Sequence, residues 1–215
     1  MDLLVNETFY SIQGESSRAG FPSIFIRLCG CNLNCIYCDT EYAKAEGYTK
    51  SVEKIIEEMA SHKSINHITI TGGEPLLQIN SIFLMERLID IGYSVQLETN
   101  GSLSVKNVPA GVRKILDVKT PSSGEVTSFM FDNLNYLSKK DEIKFVIADI
   151  DDYNFAKDFL KKYLRKKKII INFSPVLNSM SISELAELIL IDRLQVRLNI
   201  QLHKIIWPIA EPKHC

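Results

Sequence analysis

Four cysteines of this chain stand within ten residues of one another, and three of them have the spacing of ligands. Cys31, Cys35 and Cys38 follow the order C-x3-C-x2-C, which can bring three thiolates round one centre from a short loop. A structural zinc site needs four ligands, and His62 and His67 do not follow at a short, finger-like distance. An iron-sulfur cluster held by three cysteines keeps one iron open for a substrate or cofactor. The spacing favours such a cluster, with a structural zinc site in a non-catalytic binding module as the alternative.

The remaining cysteines differ from these three in spacing. Cys29 lies two residues before Cys31 and breaks the motif, so we interpret it as a small buried side chain. Cys215 is far from the cluster in sequence and has no motif around it. The sequence therefore predicts three ligands rather than four.

The composition of the 215 residues is that of an ordinary globular protein. Hydrophobic residues make up 46% and charged residues 24%, and 25 Lys and Arg against 26 Asp and Glu leave a net charge of -1. This balance argues against a general nucleic-acid binder. No apolar run approaches the roughly 20 residues of a membrane span, and residues 1–6 do not resemble a signal peptide. We expect one domain over residues 1–215 in the cytoplasm, where clustered cysteines are more often a metal or redox site than disulfides.

The elements that must position these cysteines follow from apolar periodicity. Short apolar segments predict strands at residues 24–28, 67–71, 93–97, 114–118, 143–147, 169–173 and 194–200. Capping residues predict helices that begin after Ser51 and, in a capping box with Glu184, after Ser181. Helical spacing of apolar residues predicts two more, one containing Ile82, Met85 and Ile89 and the other Phe155, Phe159, Leu160 and Tyr163. A weaker pattern predicts a helix over residues 128–137. Strands that alternate with helices indicate an α/β fold with a parallel sheet or barrel.

Residues suited to chemistry follow several of these strands directly. The segments are 27–38, 71–75, 98–101, 117–119 and 174–175. Ligands bind at the carboxyl edge of parallel sheets and barrels, so these five segments are expected to form one composite site.

The cysteine motif together with Gly-Gly-Glu-Pro at residues 72–75 resembles the radical S-adenosylmethionine (SAM) superfamily. The wider pattern is similar to the 7-carboxy-7-deazaguanine synthase family, most specifically Tyr-Ser-Ile-Gln-Gly-Glu at residues 10–15 and Gln-Leu-His-Lys at residues 201–204. The matching stretches are 9–15, 25–33, 38–40, 71–77, 98–102, 144–146 and 201–204. Glycyl-radical activases share the cysteine spacing and are the alternative within enzymes, but they should lack the pattern at residues 10–15.

This resemblance implies an incomplete TIM-like barrel of about six parallel strands. It also implies conversion of 6-carboxy-5,6,7,8-tetrahydropterin to 7-carboxy-7-deazaguanine, with ring contraction and loss of ammonia, in queuosine and deazapurine biosynthesis. The implied cofactors are a four-iron four-sulfur cluster, SAM and Mg²⁺. A flavodoxin or ferredoxin is the implied electron donor, and a homodimer is the implied assembly, with no direct contact to nucleic acid or membrane.

The resemblance also implies roles for individual residues. The implied substrate-binding residues are Ile12, Gln13, Gly14, Arg27, Thr71 and Pro208, with Glu98 and His203 lining the pocket. The implied SAM-binding residues are Gly73, Glu74, Asp117, Val118, Lys119, Ser174 and Pro175. The implied metal ligands are Cys31, Cys35 and Cys38 for the cluster and Thr40 for magnesium.

Two departures from the family pattern stand out. Asp117-Val118-Lys119 replaces the Ser-Pro-Lys common in relatives, so the contacts of its first two residues are open. Relatives also end soon after the Gln-x-His-Lys strand, whereas this chain continues through Pro208, which leaves open whether Pro208 or the following tail approaches the substrate.

Overall fold

The computed structural model describes residues 1–62 and 64–207, which form one nine-stranded sheet and five α-helices. The strands are β1 Asp2–Ile12, β2 Pro22–Leu28, β3 Tyr48–Ser51, β4 His67–Gly72, β5 Ser94–Thr99, β6 Arg113–Asp117, β7 Glu142–Ile147, β8 Ile170–Pro175 and β9 Arg197–Leu198. The helices are α1 Val52–Met59, α2 Asn80–Asp90, α3 Ile150–Phe159, α4 Ile182–Ile191 and α5 Leu202–Ile206. Within these ranges no helix is long and apolar enough to cross a membrane.

The sheet has the order β3-β1-β2-β4-β5-β6-β7-β8-β9. β2, β4, β5, β6, β7 and β8 pair in parallel, and the two-residue β9 extends this run. β1 pairs antiparallel with both β2 and β3. The predicted α/β fold with about six parallel strands is confirmed, and two additional strands extend it at one edge.

Side-chain caps begin three of the helices. Ser51 accepts a hydrogen bond from Lys54 N at 3.1 Å, and Ser181 accepts one from Glu184 N at 3.1 Å. Asp149 caps α3 in the same way through Asp152 N at 2.9 Å. Each cap satisfies a backbone donor that the first turn of a helix leaves unpaired. The predicted helix starts at Ser51 and Ser181 are therefore confirmed.

Three predictions of local structure were wrong or incomplete. β1 was not predicted, because a register shift between Val5 and Glu7 breaks its alternation of buried and exposed residues. Residues 128–137 contain a short 3-10 helix, Phe131–Tyr136, instead of an α-helix. The strand predicted over residues 194–200 is reduced to the two-residue β9, because the chain leaves the sheet after Asn199 and Leu202 N bonds to Gly14 O at the start of α5.

The sheet curves around residues 15–17, which follow β1. Ser16 N donates to Asn199 Oδ1 at 2.9 Å, and Ser16 Oγ lies 3.2 Å from Gln96 Oε1 on β5. Ser17 Oγ donates to Glu142 Oε1 on β7 at 2.5 Å. Since β5, β7 and the end of β9 all reach the same three residues, the sheet forms an incomplete barrel with a polar interior.

We expect Glu142→Ala to destabilise this interior strongly. The fully buried carboxylate also accepts from Asn172 Nδ2 at 2.7 Å and lies 3.4 Å from Arg113 Nη1, so its removal leaves several buried donors unpaired. The free energy of unfolding in urea should fall by about 3 kcal/mol. Glu57→Ala, the same change at an exposed side chain, is the control and should alter it little. Equal effects of the two changes would contradict this account.

Candidate active site

A cavity of about 710 Å³ lies at the carboxyl ends of the parallel strands, large enough for small-molecule ligands. Strands β2, β4, β5, β6 and β7 each contribute a polar side chain near their ends. These are Arg27, Thr71, Glu98, Asp117 and Lys144. The order of strand ends in the sheet therefore brings together residues that are far apart in sequence.

Most predicted site residues line this one cavity. They are Ile12, Gln13, Gly14, Arg27, Cys31, Cys35, Cys38, Thr40, Thr71, Gly73, Glu98, Asp117, Lys119, Ser174, Pro175 and His203. Glu74 and Val118 do not line it, since both side chains are almost fully buried behind the wall. Pro208 lies outside the described residues.

The Glu74 carboxylate is held by hydrogen bonds within the cavity wall. It accepts from Thr99 Oγ1 at 2.9 Å, Asn100 N at 2.7 Å and Leu76 N at 2.9 Å. These bonds tie the loop after β4 to the end of β5. Val118 is likewise a core residue, and its backbone N bonds to Lys144 O at 2.8 Å.

Cys31, Cys35 and Cys38 are free, half-buried and directed to the same cavity. Cys31 Sγ accepts from Leu33 N at 3.5 Å and lies 3.8 Å from Asn100 Nδ2. Burial raises the pKa of the Cys35 thiol, and the charge of Lys119 opposes this effect. Amide donors near the sulfurs are among the features that tune iron-sulfur clusters.

The three cysteines do not form a compact site for a single metal ion. In residues 1–62 and 64–207, no group of three His, Cys, Asp or Glu side chains is placed to hold one metal ion. Cys29 is not part of the set, because it is buried and its Sγ contacts Glu46 O and packs against Gly47.

The loop after β4 packs directly on the cysteine loop. Glu74 N donates to Gly30 O at 2.7 Å, and Gly73 N to Leu28 O at 3.3 Å. A Cβ on Gly73 would lie 2.8 Å from the Cβ of Cys31 and still closer to Gly30 O. Glycine therefore permits a contact that another residue would disrupt, and it leaves backbone exposed to a ligand in the cavity.

Asp117 offers an unused acceptor beside the cysteines. Its Oδ2 lies 3.0 Å from Lys119 Nζ and 3.6 Å from Lys144 Nζ. Its Oδ1 is buried and has no hydrogen-bond partner among the described residues. Since unpartnered buried acceptors are costly, this atom fits a ligand that brings a hydroxyl or ammonium donor, and SAM carries both. The three thiols, the Gly73 cradle and this acceptor thus fit a cluster and SAM.

The opposite side of the cavity carries a hydrogen-bonding row. Glu98 accepts from Gln13 Nε2 at 3.2 Å and Thr71 Oγ1 at 3.2 Å, and burial raises the pKa of its carboxyl. Arg27 Nε bonds to Glu7 Oε1 at 2.7 Å, and its guanidinium lies 5.6 Å from the ring centroid of Phe9. A guanidinium held this way is suited to a planar carboxylate.

Sequence reasoning missed several polar residues of the cavity. Lys144 Nζ lies 2.8 Å from Glu15 Oε2, and Gln201 Nε2 donates to Glu15 Oε1 at 2.5 Å. Lys204 Nζ lies 2.8 Å from Asp39 Oδ2, directly after Cys38. The available signal was Lys144 itself, a charged residue between buried Ile143 and Phe145 on a predicted strand.

Charge attraction outweighs burial in the Glu15–Lys144 pair. Burial opposes ionisation of Glu15, but Lys144 lowers the pKa of its carboxyl below the ordinary value. Burial also opposes the charged form of Lys144, yet Glu15 and Asp117 raise the pKa of the ammonium well above its ordinary value. Both groups are therefore charged at neutral pH.

Comparison with known proteins identifies the family of this chain. The model of the Radical SAM superfamily matches residues 25–189. The 7-carboxy-7-deazaguanine synthase of Koribacter versatilis (strain Ellin345) is 43% identical, with 94% of this chain and 96% of that protein covered. That of Chlorobaculum tepidum is 40% identical, with 95% and 94% covered. The crystal structure of QueE from Escherichia coli matches with a TM-score of 0.78 at 25% identity, covering 94% of each chain. The chain belongs to the 7-carboxy-7-deazaguanine synthase family of the radical SAM superfamily.

Proposed function

We propose that this protein converts 6-carboxy-5,6,7,8-tetrahydropterin to 7-carboxy-7-deazaguanine, with ring contraction and loss of ammonia, in deazapurine biosynthesis. The observation that carries the proposal is that three free cysteines and the row of Gln13 and Glu98 face one cavity in a chain of this family. When bound, the cluster and SAM supply the radical that begins the rearrangement. The protein's own residues bind, orient and shield the reactants.

The substrate side of the cavity suits a carboxylated pterin. Glu98 can accept from the N–H donors of the heterocycle, and the Gln13 amide beside it offers a donor and an acceptor. Arg27 can bind the substrate carboxylate from the end of β2. These roles explain why one site combines a buried carboxylate with a rigid guanidinium.

The cofactor side suits SAM. Gly73 gives close backbone access beside Cys31, and Asp117 Oδ1 can accept from a ribose hydroxyl or the methionyl ammonium. Lys119 and Ser174, also on the cavity wall, complete the polar set that we assign to SAM. In this proposal Asp117 takes the place of the serine that is common in relatives.

The anaerobic product assay tests the proposal. Reduced, reconstituted protein is incubated with the carboxytetrahydropterin and SAM, and 7-carboxy-7-deazaguanine is measured by liquid chromatography and mass spectrometry. Product is expected from the pterin only when SAM is present. Absence of product from protein with full iron content would refute the assignment, and formation of a glycyl radical on a partner would support the activase alternative. Bound zinc without iron would support the zinc-binding module.

We further propose that Thr40 helps to hold Mg²⁺ together with the substrate. Thr40 lines the cavity two residues after Cys38, and Mg²⁺ accepts oxygen ligands while keeping several waters. Thr40→Ala should lower activity mainly at limiting Mg²⁺, with recovery at high Mg²⁺. The measurement is a titration of activity with Mg²⁺, and Thr49→Ala on an exposed strand is the control. An unchanged Mg²⁺ dependence would exclude this role.

The family resemblance extends the proposal to partners. An electron donor of the flavodoxin or ferredoxin type would reduce the cluster, and two copies of the chain would form a homodimer. Reduction rates with each purified donor and sedimentation of the reconstituted protein test these two points separately.

A further inference from the structure

We propose that Lys144 is a positioning residue. It fixes the position of residues 13–15, called here the substrate loop, relative to Asp117 at the SAM-binding end of β6. This inference rests on the proposed function, because it names the two ligands whose sites Lys144 joins. The geometry that carries it is a buried chain of charges across the floor of the cavity, from Glu15 through Lys144 to Asp117 and Lys119.

The Glu15–Lys144 ion pair fixes the substrate loop. Lys144 Nζ lies 2.8 Å from Glu15 Oε2, and Glu15 N donates to Gln13 Oε1 at 3.1 Å. The Gln13 side chain in turn donates to Glu98 Oε1 at 3.2 Å. The ammonium on β7 thus holds the Glu15 side chain, and the backbone N–H of the same residue holds the Gln13 amide. Gln13 and Glu98 are the groups assigned to the heterocycle.

The contacts of Asp117 with Lys144 and Lys119 extend the chain of charges to the proposed SAM site. Lys144 Nζ lies 3.6 Å from Asp117 Oδ2, while Lys119 Nζ lies 3.0 Å from the same oxygen. Both lysines therefore hold one oxygen of Asp117, while the other oxygen is buried and has no hydrogen-bond partner among the described residues. Loss of Lys144 would remove one of the two cations that fix this carboxylate.

Lys144 is the cation that both carboxylates share. Its side chain is 16% exposed, and those of Glu15 and Asp117 are 12% and 15% exposed. Two buried carboxylates with no cation between them repel each other and lose the attraction that offsets their desolvation. We therefore expect a neutral side chain at position 144 to displace both groups and to weaken both binding sites.

Residues at the start of α5 also hold the substrate loop. Gln201 Nε2 donates to Glu15 Oε1 at 2.5 Å, and Leu202 N donates to Gly14 O at 3.1 Å. Glu15 is therefore held from two sides, by α5 and by β7. Since the α5 contacts remain when Lys144 is replaced, the loop should shift in position without unfolding.

The test measures binding rather than turnover. Anaerobically reconstituted holoprotein is titrated with 6-carboxypterin, an oxidised and unreactive analogue followed by its fluorescence, and separately with radiolabelled SAM by equilibrium dialysis. Lys144→Met is expected to weaken carboxypterin binding about tenfold and SAM binding about threefold, the size of coupling found between contacting residues. Lys144→Arg keeps the charge and should restore part of both affinities.

Glu15→Gln distinguishes the effect of the Glu15–Lys144 ion pair from that of the Lys144–Asp117 ion pair. It removes the charge through which Lys144 holds residues 13–15 and leaves the Lys144–Asp117 contact in place. Carboxypterin binding should fall about tenfold, while SAM binding should stay within about twofold of wild type. This variant also tests the proposal if Lys144→Met fails to fold, because it retains the buried lysine.

Lys114→Met is the matched control. Lys114 is also a buried lysine, and its Nζ lies 3.1 Å from Asp141 Oδ2, but it does not line the cavity. Its loss should lower the melting temperature and leave both affinities unchanged. Wild-type affinities in Lys144→Met, or equal losses in Lys144→Met and Lys114→Met, would overturn the inference. A wild-type protein that binds SAM but not carboxypterin would instead refute the proposed function.

Discussion

Replacing Cys35 with alanine is expected to abolish product formation and most of the visible iron-sulfur absorption of the reconstituted protein. The three thiols come from one short loop, are free and line the same cavity. A cluster that loses one of three protein ligands is held by only two. Iron content, absorption and product should therefore fall together, with activity at the level of a protein-free control.

Cys29→Ala is the matched control for this result. Cys29 belongs to the same dense group of cysteines, but its side chain is 3% exposed and packs against Gly47. The alanine variant should keep its iron and its activity, with a small loss of stability from the cavity it creates. Loss of iron from Cys29→Ala equal to that from Cys35→Ala would contradict the assignment of three ligands.

The parallel strands could be predicted because they are buried on the side that faces the helices. β4 carries the buried residues Ile68 and Ile70, and β7 carries Ile143 and Phe145. Such apolar residues can be recognised in the sequence without knowing which strands pair. β1 could not be predicted in this way, since its register shift interrupts the alternation. α5 has no buried residue, so it offers no apolar face to read from the sequence.

The site could be predicted where it depends on motifs and strand ends. The cysteine spacing and the Gly-Gly-Glu-Pro loop are local in sequence, and the strand ends meet at one edge in any parallel sheet. The partners of Glu15 are not local, because Lys144 and Gln201 lie 129 and 186 residues further along the chain. Such a pairing follows only from the way residues 15–17 enter the curved sheet.

Glu74 illustrates a different limit. Its motif predicted a contact with SAM, but the direction of its side chain depends on Thr99 and Asn100 at the end of β5. Those donors draw the carboxylate behind the wall, while the neighbouring Gly73 stays on the cavity side. A motif therefore identifies the loop, and the hydrogen bonds of the neighbouring strand decide which of its residues face the ligand.

Gly73→Ala is expected to disrupt the cavity wall beside the cysteine loop. The added Cβ would lie closer than 3.0 Å to Gly30 O and to the Cβ of Cys31, and real Cβ atoms essentially never approach other atoms so closely. The contact is with backbone and a ligand residue rather than with the end of a flexible side chain. The loop after β4 must therefore move away from the cysteine loop, which breaks the bond from Glu74 N to Gly30 O.

We expect this movement to lower SAM affinity and cluster content together, because the same loop is the one we propose to contact SAM and it packs against Cys31. A loss of about tenfold or more in SAM binding corresponds to one or two hydrogen bonds. Gly111→Ala is the control, since its Cβ would meet only the side chain of Ile89, far from the cavity. That variant should bind SAM and iron normally. Normal SAM binding and iron content in Gly73→Ala would mean that the two loops can separate without moving the ligands, and the close packing at Gly73 would then have no part in forming the site.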